Sequence, residues 1–285
     1  MLRLKLRLLL PAALAAVCLL LSTALGDGAV RYVPGEVRAI YDSGTLRYNI
    51  TEAKLNGARC WLTRVWMADP GRQIIKETAQ WGKHLAWASD LAQRRGDCRL
   101  AVSGSGYVSP VYAWIPEDYP GTCKDYYYTP LGSLTVTHGE VLRRLEGVPF
   151  TGLTLEADGL HCWREAEVDE VLARSPAETW AFYAQCPLIL DGADALDRDW
   201  DFAQRKAVRQ IIARLDANTL LILTTRDALS LIECTEFLLE QFRPEMAFNL
   251  DGGPSAALLR RNAAGAWKTV QKSTQKNVDI MGFID

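Results

Sequence analysis

The segment Ala247-Phe248-Asn249-Leu250-Asp251-Gly252-Gly253-Pro254-Ser255 constrains this chain more than any other. A short apolar run stops on a carboxylate, two glycines, a proline and a hydroxyl. Such a run reads as a buried strand that carries one acid to its open end and then turns sharply. Gly252 and Gly253 tolerate positive φ and let a ligand come close to the backbone. Asp251 offers a charge or a general base, and Ser255 a hydroxyl. On spacing alone a tight turn is the better reading, because Asp-Gly is common turn chemistry.

The N-terminus carries a leader pattern. Arg3, Lys5 and Arg7 precede an apolar stretch from Leu8 to Leu21, and Ala24-Leu25-Gly26 has the small-x-small form of a cleavage site. Residues 1–26 read as a signal peptide or as an uncleaved signal anchor, since the apolar stretch is near the ~17-residue lower limit of a spanning helix. Cys18 sits mid-run behind Val17, which does not make a lipoprotein box. Either reading places the body outside the cytoplasm, secreted or attached to a membrane through residues 8–25. At 285 residues, 49% hydrophobic and 23% charged, the chain can bury a substantial core. It has no block of basic residues, so nucleic acid is not an expected partner.

Cys60, Cys98, Cys123, Cys162, Cys186 and Cys234 remain beyond the leader. An even number in an exported chain fits disulfides. Buried thiols that act as small apolar residues are the alternative. No Cys-x-x-Cys occurs, and His84, His138 and His161 make no His-x-x-x-His pair, so no metal site is expected. Asn49-Ile50-Thr51 is a glycosylation sequon in a eukaryotic secretory pathway.

Most of the chain reads as β. Strands are expected at Val37–Tyr41, Leu46–Ile50, Trp61–Met67 and Cys98–Val102, with a turn at Asp69-Pro70-Gly71. A helix is expected from Gln80 to Arg95, closed by Gly96. Tyr107 to Pro130 is loop-like, and its Tyr126-Tyr127-Tyr128 run fits surface packing better than a sugar-stacking rim. Ser133–Thr137 turns at His138-Gly139 into Glu140–Leu142. Gly152–Glu156 and Leu160–Trp163 pair across Asp158-Gly159, and Val168–Ala173 reads as a short helix. Cys186–Leu190 ends in Asp191-Gly192. Phe202 to Leu215 fits a helical stripe and a hairpin equally well. Ser230-Leu231-Ile232-Glu233 is a capping box that starts a helix to Phe242. Trp267–Val270 and Val278–Ile284 complete the strands. The expected fold is α+β: a single domain with a mixed sheet and a few helices, and an N-terminal β segment added on. The divisions are 1–26, 27–90 and 91–285.

Asn249-Leu250-Asp251-Gly252-Gly253-x-Ser255 resembles the C-terminal signature of the phosphodiester glycosidases. The likeness extends upstream. Arg209-Gln210-Ile211-Ile212-Ala213 is similar to the family's Arg-Thr-Ala-Ile-Gly run, and the turn, strand and helix that follow keep its order. Ala101-Val102-Ser103-Gly104-Ser105-Gly106-Tyr107 stands where the family has a strand leading into Asn-Gly-Gly. The resemblance covers about Leu91 to Asp285 and implies the hairpin for Phe202 to Leu215. Ser103, Ser105, Gln210, Ala213 and Pro254 depart from the pattern at positions that shape the family's pocket. Cysteines around the Ser103 loop occur in family members from oxidising compartments, which points to Cys98–Cys123 as a disulfide. Cys162–Cys186 is a second candidate pair.

The resemblance implies hydrolysis of a sugar-1-phosphodiester. The anomeric carbon then passes through an oxocarbenium-like state. A phosphate is already a good leaving group, so the site needs a cationic fork, a carboxylate near the anomeric carbon and backbone amides for further oxygens. Arg209 suits the fork, with Arg205 in reserve. Asp251 suits the carboxylate, with Asp191 in reserve although a turn explains it better. The amides of Gly104, Ser105, Gly252 and Gly253 suit an anion nest. Ser103, Ser105, Asn249 and Ser255 are expected to contact substrate. Ser103 and Ser105 are poor nucleophiles here, because no Gly-x-Ser-x-Gly elbow surrounds them. No cofactor is expected, and a divalent cation on Asp251 is left open. The other function class is a non-catalytic glycan-binding or envelope-associated protein on the same scaffold.

Overall fold

Alternation of apolar and polar residues, broken by short turns, makes this chain a succession of antiparallel strands. The computed structural model describes residues 30–80, 84–108, 129–182 and 186–285. The leader, Cys123 and the Tyr126-Tyr127-Tyr128 run lie outside the described residues. The chain divides into a unit Met1–Arg31 and a compact unit Tyr32–Asp285. No described helix is long and apolar enough to cross a membrane.

The first strands, β1 (Tyr32–Asp42), β2 (Leu46–Leu55) and β3 (Ala58–Met67), form a meander. In β2, Leu46, Tyr48 and Ile50 are buried while Arg47 and Asn49 are exposed. That period of two is the mark of a half-buried strand. A one-turn helix α1 (Pro70–Gln73), with Pro70 at its start, leads into β4 (Ile74–Thr78). Then come α2 (Ala88–Gln93), β5 (Cys98–Ser103), β6 (Tyr107–Val108) and β7 (Thr129–Pro130). The hairpins β8 (Leu134–Thr137)–β9 (Glu140–Arg144) and β10 (Phe150–Glu156)–β11 (Gly159–Ala166) follow. After α3 (Val168–Ala173) come β12 (Glu178–Trp180), β13 (Pro187–Leu190), β14 (Ala193–Asp194) and α4 (Asp201–Gln204). The last part is β15 (Gln210–Asp216), β16 (Thr219–Thr225), α5 (Leu231–Gln241), β17 (Met246–Leu250), β18 (Leu258–Arg261), β19 (Trp267–Gln271) and β20 (Asp279–Ile284).

Two sheets matter for the site. The larger has the order β1-β2-β3-β16-β15-β17-β13-β14, and the smaller β19-β18-β5-β20-β4. Between them lies a core to which the larger contributes Ile50, Val65, Ile222, Phe248 and Leu250, and the smaller Leu100, Val102, Met281 and Phe283. A third sheet, β11-β10-β12, adds Leu153 and Leu155. Burying one such side chain contributes about 1.5–3 kcal/mol.

The structure is mostly β with few helices, which refines the α+β expectation. The mixed sheet is corrected: in the two large sheets each strand pairs antiparallel with its neighbours. Short turns set this direction for the hairpins β1–β2, β2–β3, β13–β14, β15–β16 and β18–β19, and the remaining neighbours are distant in the chain. Phe202 to Leu215 resolves into α4 and the first strand of the β15–β16 hairpin. Of the helix expected from Gln80 to Arg95, residues 81–83 lie outside the described residues and α2 covers Ala88–Gln93. Before it, Ala86 exchanges backbone hydrogen bonds with Asn277 at 3.0 and 2.7 Å, so tertiary pairing overrides local helix preference. Asp191 and Gly192 both take positive φ in the β13–β14 turn, which gives Asp191 a turn role. The capping box forms as read, with Ser230 Oγ accepting from the Glu233 amide and Glu233 Oε2 accepting from the Ser230 amide.

Disulfides are also corrected. None joins the five cysteines among the described residues, Cys60, Cys98, Cys162, Cys186 and Cys234. Cys98 donates to the Leu100 carbonyl at 3.2 Å beneath the small sheet. Cys162 and Cys186 share the main core without bonding. Burial pushes the Cys98 thiol up to about 11, which keeps it protonated and unreactive.

Candidate active site

The end of β17 delivers Asp251 to the seam between the two sheets. Asn249 and Leu250 are buried, and Asp251 is partly exposed. Its amide donates to the Gly104 carbonyl at 2.9 Å, and Ser103 Oγ donates to its carbonyl at 2.7 Å. Gly104 in turn donates to the backbone carbonyl of Asp279 at 3.3 Å. The ends of β17, β5 and β20 are thus tied at one point. Gly104 has to be glycine: a Cβ there would stand 2.0 Å from Asp279 Oδ1 and 3.0 Å from Trp180 Cδ1.

A second carboxylate lies behind Asp251. Asp279 is fully buried, and its Oδ1 accepts from the Ser105 amide at 2.6 Å. Its Oδ2 is 3.5 Å from Nζ of Lys76, which is also fully buried. Lys76 donates to the Thr179 carbonyl at 2.7 Å and lies 5.9 Å from the Trp180 ring centroid. Buried ion pairs survive when extra hydrogen bonds satisfy their partners. The Thr179 carbonyl and the Ser105 amide each supply one here, while Asp279 Oδ2 has no hydrogen-bond partner among the described residues. Burial is the main force raising the Asp251 carboxyl to about 7. A hydrogen bond from Ser255 opposes it, and the Asp279 charge adds to it. Burial likewise pushes Glu178 up to about 7 against the pull of Lys76. Glu178 Oε1 is 3.0 Å from Nδ1 of the exposed His138.

Arg209 is placed differently from the sequence expectation. Its guanidinium is buried against carbonyls: Nε donates to Leu229 at 3.1 Å, and Nη2 donates to Phe202 at 2.9 Å and to Arg205. It also lies 4.4 Å from the Phe202 ring centroid. Burial lowers its pKa to about 10, so it stays cationic at neutral pH. Its Nη1 has no hydrogen-bond partner among the described residues. Arg209 and Asp251 meet only through the backbone. A Cβ on Gly252 would sit 3.4 Å from Arg209 Cα, and Gly253 N donates to the Val208 carbonyl at 2.7 Å. The carboxylate answers to Ser255 and Asp279, not to the arginine. Arg205 is exposed and lies 5.1 Å from the Phe202 ring centroid.

The remaining expected residues are mostly committed within the protein. Ser103 holds the Asp251 backbone. Ser105 Oγ accepts from the Ala181 amide at 3.3 Å. Asn249 donates to the Leu250 carbonyl at 3.0 Å, and its Oδ1 is buried with no partner among the described residues. Ser255 faces the Asp251 carboxyl, and its backbone carbonyl accepts from Asn277 Nδ2 at 3.0 Å. The nest is reduced: the Gly104, Ser105 and Gly253 amides are bonded internally, and the Gly252 amide alone of the four has no partner among the described residues.

Sequence reasoning missed Asp279, Lys76 and Glu178. Their signal was a charge inside an apolar strand, as in Ile74-Ile75-Lys76 and Val278-Asp279-Ile280. Nothing in the sequence pairs residues so far apart. Among the described residues Glu156, Asp158 and His161 could also hold a metal. Glu156 already accepts from Thr154 at 2.8 Å and pairs with Arg174 at 2.6 Å, so that group reads as an ion-pair cluster.

With this fold and seam in view, the chain belongs to the phosphodiester glycosidase family, whose model matches residues 97–280, more than half of its length. Its fold is similar to that of the zebrafish N-acetylglucosamine-1-phosphodiester alpha-N-acetylglucosaminidase catalytic domain, auto-inhibited by its pro-peptide. The TM-score is 0.63 at 15% identity, over 91% of this chain and 89% of that one. It is also similar to a hypothetical protein from Synechocystis, with a TM-score of 0.53 at 11% identity, over 90% of this chain and 72% of that one. A search of the curated proteins found no match.

Proposed function

We propose that this chain hydrolyses a sugar-1-phosphodiester in a glycan outside the cytoplasm. The observation that carries the reading is Asp251. It is partly exposed at the end of β17, locked to Gly104, and has a carboxyl poised near neutrality. A group titrating near the working pH is suited to moving protons. In the reaction the bond from the anomeric carbon to the phosphodiester oxygen breaks. Water supplies the hydroxyl to that carbon, and the phosphate leaves as a monoester. Ionised Asp251 stabilises the developing oxocarbenium charge and accepts the proton of the attacking water. Asp279 and Lys76 set its electrostatics from behind. The Gly252 amide presents a donor for an anionic oxygen, while Arg209 supports the turn from behind through the carbonyls of Leu229, Phe202 and Arg205. The leader pattern of residues 1–26 supports the location, as a secreted or anchored protein.

The second reading, glycan binding without turnover, draws on the internal bonding of the Gly104, Ser105 and Gly253 amides. A panel of α-linked sugar-1-phosphodiesters separates the two. Turnover by the full chain and none by Asp251→Asn is the expected result. Full turnover by the variant removes Asp251 from the chemistry. Saturable binding to an anionic glycan with no turnover across the panel transfers the assignment to the second reading.

A further inference from the structure

The β18–β19 pairing sets Arg260 directly opposite Lys268. Like charges facing each other across an antiparallel ladder destabilise it. Neither side chain has an ion pair or a side-chain hydrogen bond among the described residues. Arg260 shares a face with buried Leu258, Lys268 stands opposite Arg260, and Val270, at the register shift of the ladder, packs against the core. Arg260 is half-buried and Lys268 is exposed, and the two cations line the same cleft.

What they face is a cleft of about 280 Å³ between this hairpin and strands β1 to β3. Arg38 lines it as a third cation, and Trp61, Ile50 and Val270 provide an apolar wall. Arg38 is compensated by Glu36 at 2.8 Å and Glu52 at 2.7 Å. The uncompensated charge comes from Arg260 and Lys268. The volume lies just below the ~300 Å³ at which ligand pockets usually begin, room for a group the size of one monosaccharide. The cleft shares no lining residue with the Asp251 site.

We propose that this cleft is a second binding site, separate from Asp251, for a saccharide carrying a phosphate or carboxylate. Arg260 and Lys268 neutralise the anion, and the apolar wall takes the C–H face of the sugar ring. This explains why two like charges are kept opposite each other: an anion between them turns repulsion into a bidentate site. The competing explanation is that exposed Lys268 simply guards edge strand β19 against pairing with another chain. The inference does not depend on turnover at Asp251.

The test is calorimetric titration of the full chain at low salt with glucose-6-phosphate, glucuronate, glucose and inorganic phosphate. Saturable one-site binding of either charged sugar, absent with glucose, is expected, and which of the two binds identifies the anion. Affinity should fall at least tenfold in Arg260→Gln and in Lys268→Gln, and stay unchanged in Asp251→Asn. Thermal melts establish that the variants are folded. No saturable binding overturns the proposal, as does binding unaffected by both glutamine variants or lost in Asp251→Asn. Inorganic phosphate binding as tightly as the sugar phosphate overturns the saccharide assignment. Self-association of Lys268→Gln with sugar binding intact establishes the edge-guarding role instead.

Discussion

The Asp251 amide donates to the Gly104 carbonyl at 2.9 Å, so the acid at the end of β17 is held by the loop that follows β5. The larger sheet supplies the carboxylate and the smaller sheet fixes where it points. Behind the same glycine stands Asp279, close enough to leave no room for a Cβ on Gly104. Four consequences of this arrangement and its surroundings can be measured.

Asp251 makes stability depend on pH. Its carboxyl binds a proton more tightly when folded, at about 7, than at its ordinary value of 3.8. The favourable contribution of the neutral form is therefore complete below about pH 4 and is lost as pH rises to about 7. Asp251→Asn removes that loss. Its unfolding free energy should match the wild type at pH 4 and exceed it by about 1–3 kcal/mol at pH 8, after allowance for partial solvent exposure. Urea melts at the two pH values decide this, and parallel curves would refute it.

Lys76 and Asp279 should behave as one unit. Lys76→Met leaves a buried carboxylate unpaired and should cost about 3–5 kcal/mol. Asp279→Asn keeps an acceptor for the Ser105 amide, so the double variant should recover most of that loss. A double-mutant cycle in urea reads the coupling directly. Asp279→Asn alone also removes a negative neighbour of Asp251. Under the proposed hydrolysis, the pH–rate inflection assigned to Asp251 should therefore move to lower pH.

Arg209 holds the carbonyls of Leu229, Phe202 and Arg205 around one guanidinium. A lysine has no fork with which to replace it. Arg209→Lys should lower stability by about 2–4 kcal/mol through the unpaired carbonyls. Exposed Arg205→Ala should change it by less than about 0.5 kcal/mol. An unchanged denaturation midpoint for Arg209→Lys would refute the strut role.

Ser230 caps α5 reciprocally with Glu233. Ser230→Ala should cost about 1 kcal/mol, read as a lower melting temperature. Ser230→Thr should retain most of the cap.

The local features were legible because they depend on neighbours in sequence. The Asp158-Gly159 hairpin, the Ser230 capping box, and the strand ending in Asp251-Gly252-Gly253 all rest on spacings of a few residues. The family was legible for the same reason, since its signature is a short run at the end of one strand. The site's surroundings were not. Lys76 and Asp279 lie on β4 and β20, strands that are neighbours in space and distant in the chain. Only their pairing in the small sheet turns two isolated charges into a buried ion pair beneath Asp251. Arg209 shows the same limit from the other side. The sequence supplied its position beside the Gly252-Gly253 turn, while the three carbonyls that hold its guanidinium come from α4, the segment after it and the approach to α5. Sequence spacing sets which residues share a strand, but tertiary packing decides which charges lose their water and therefore which partners they must take.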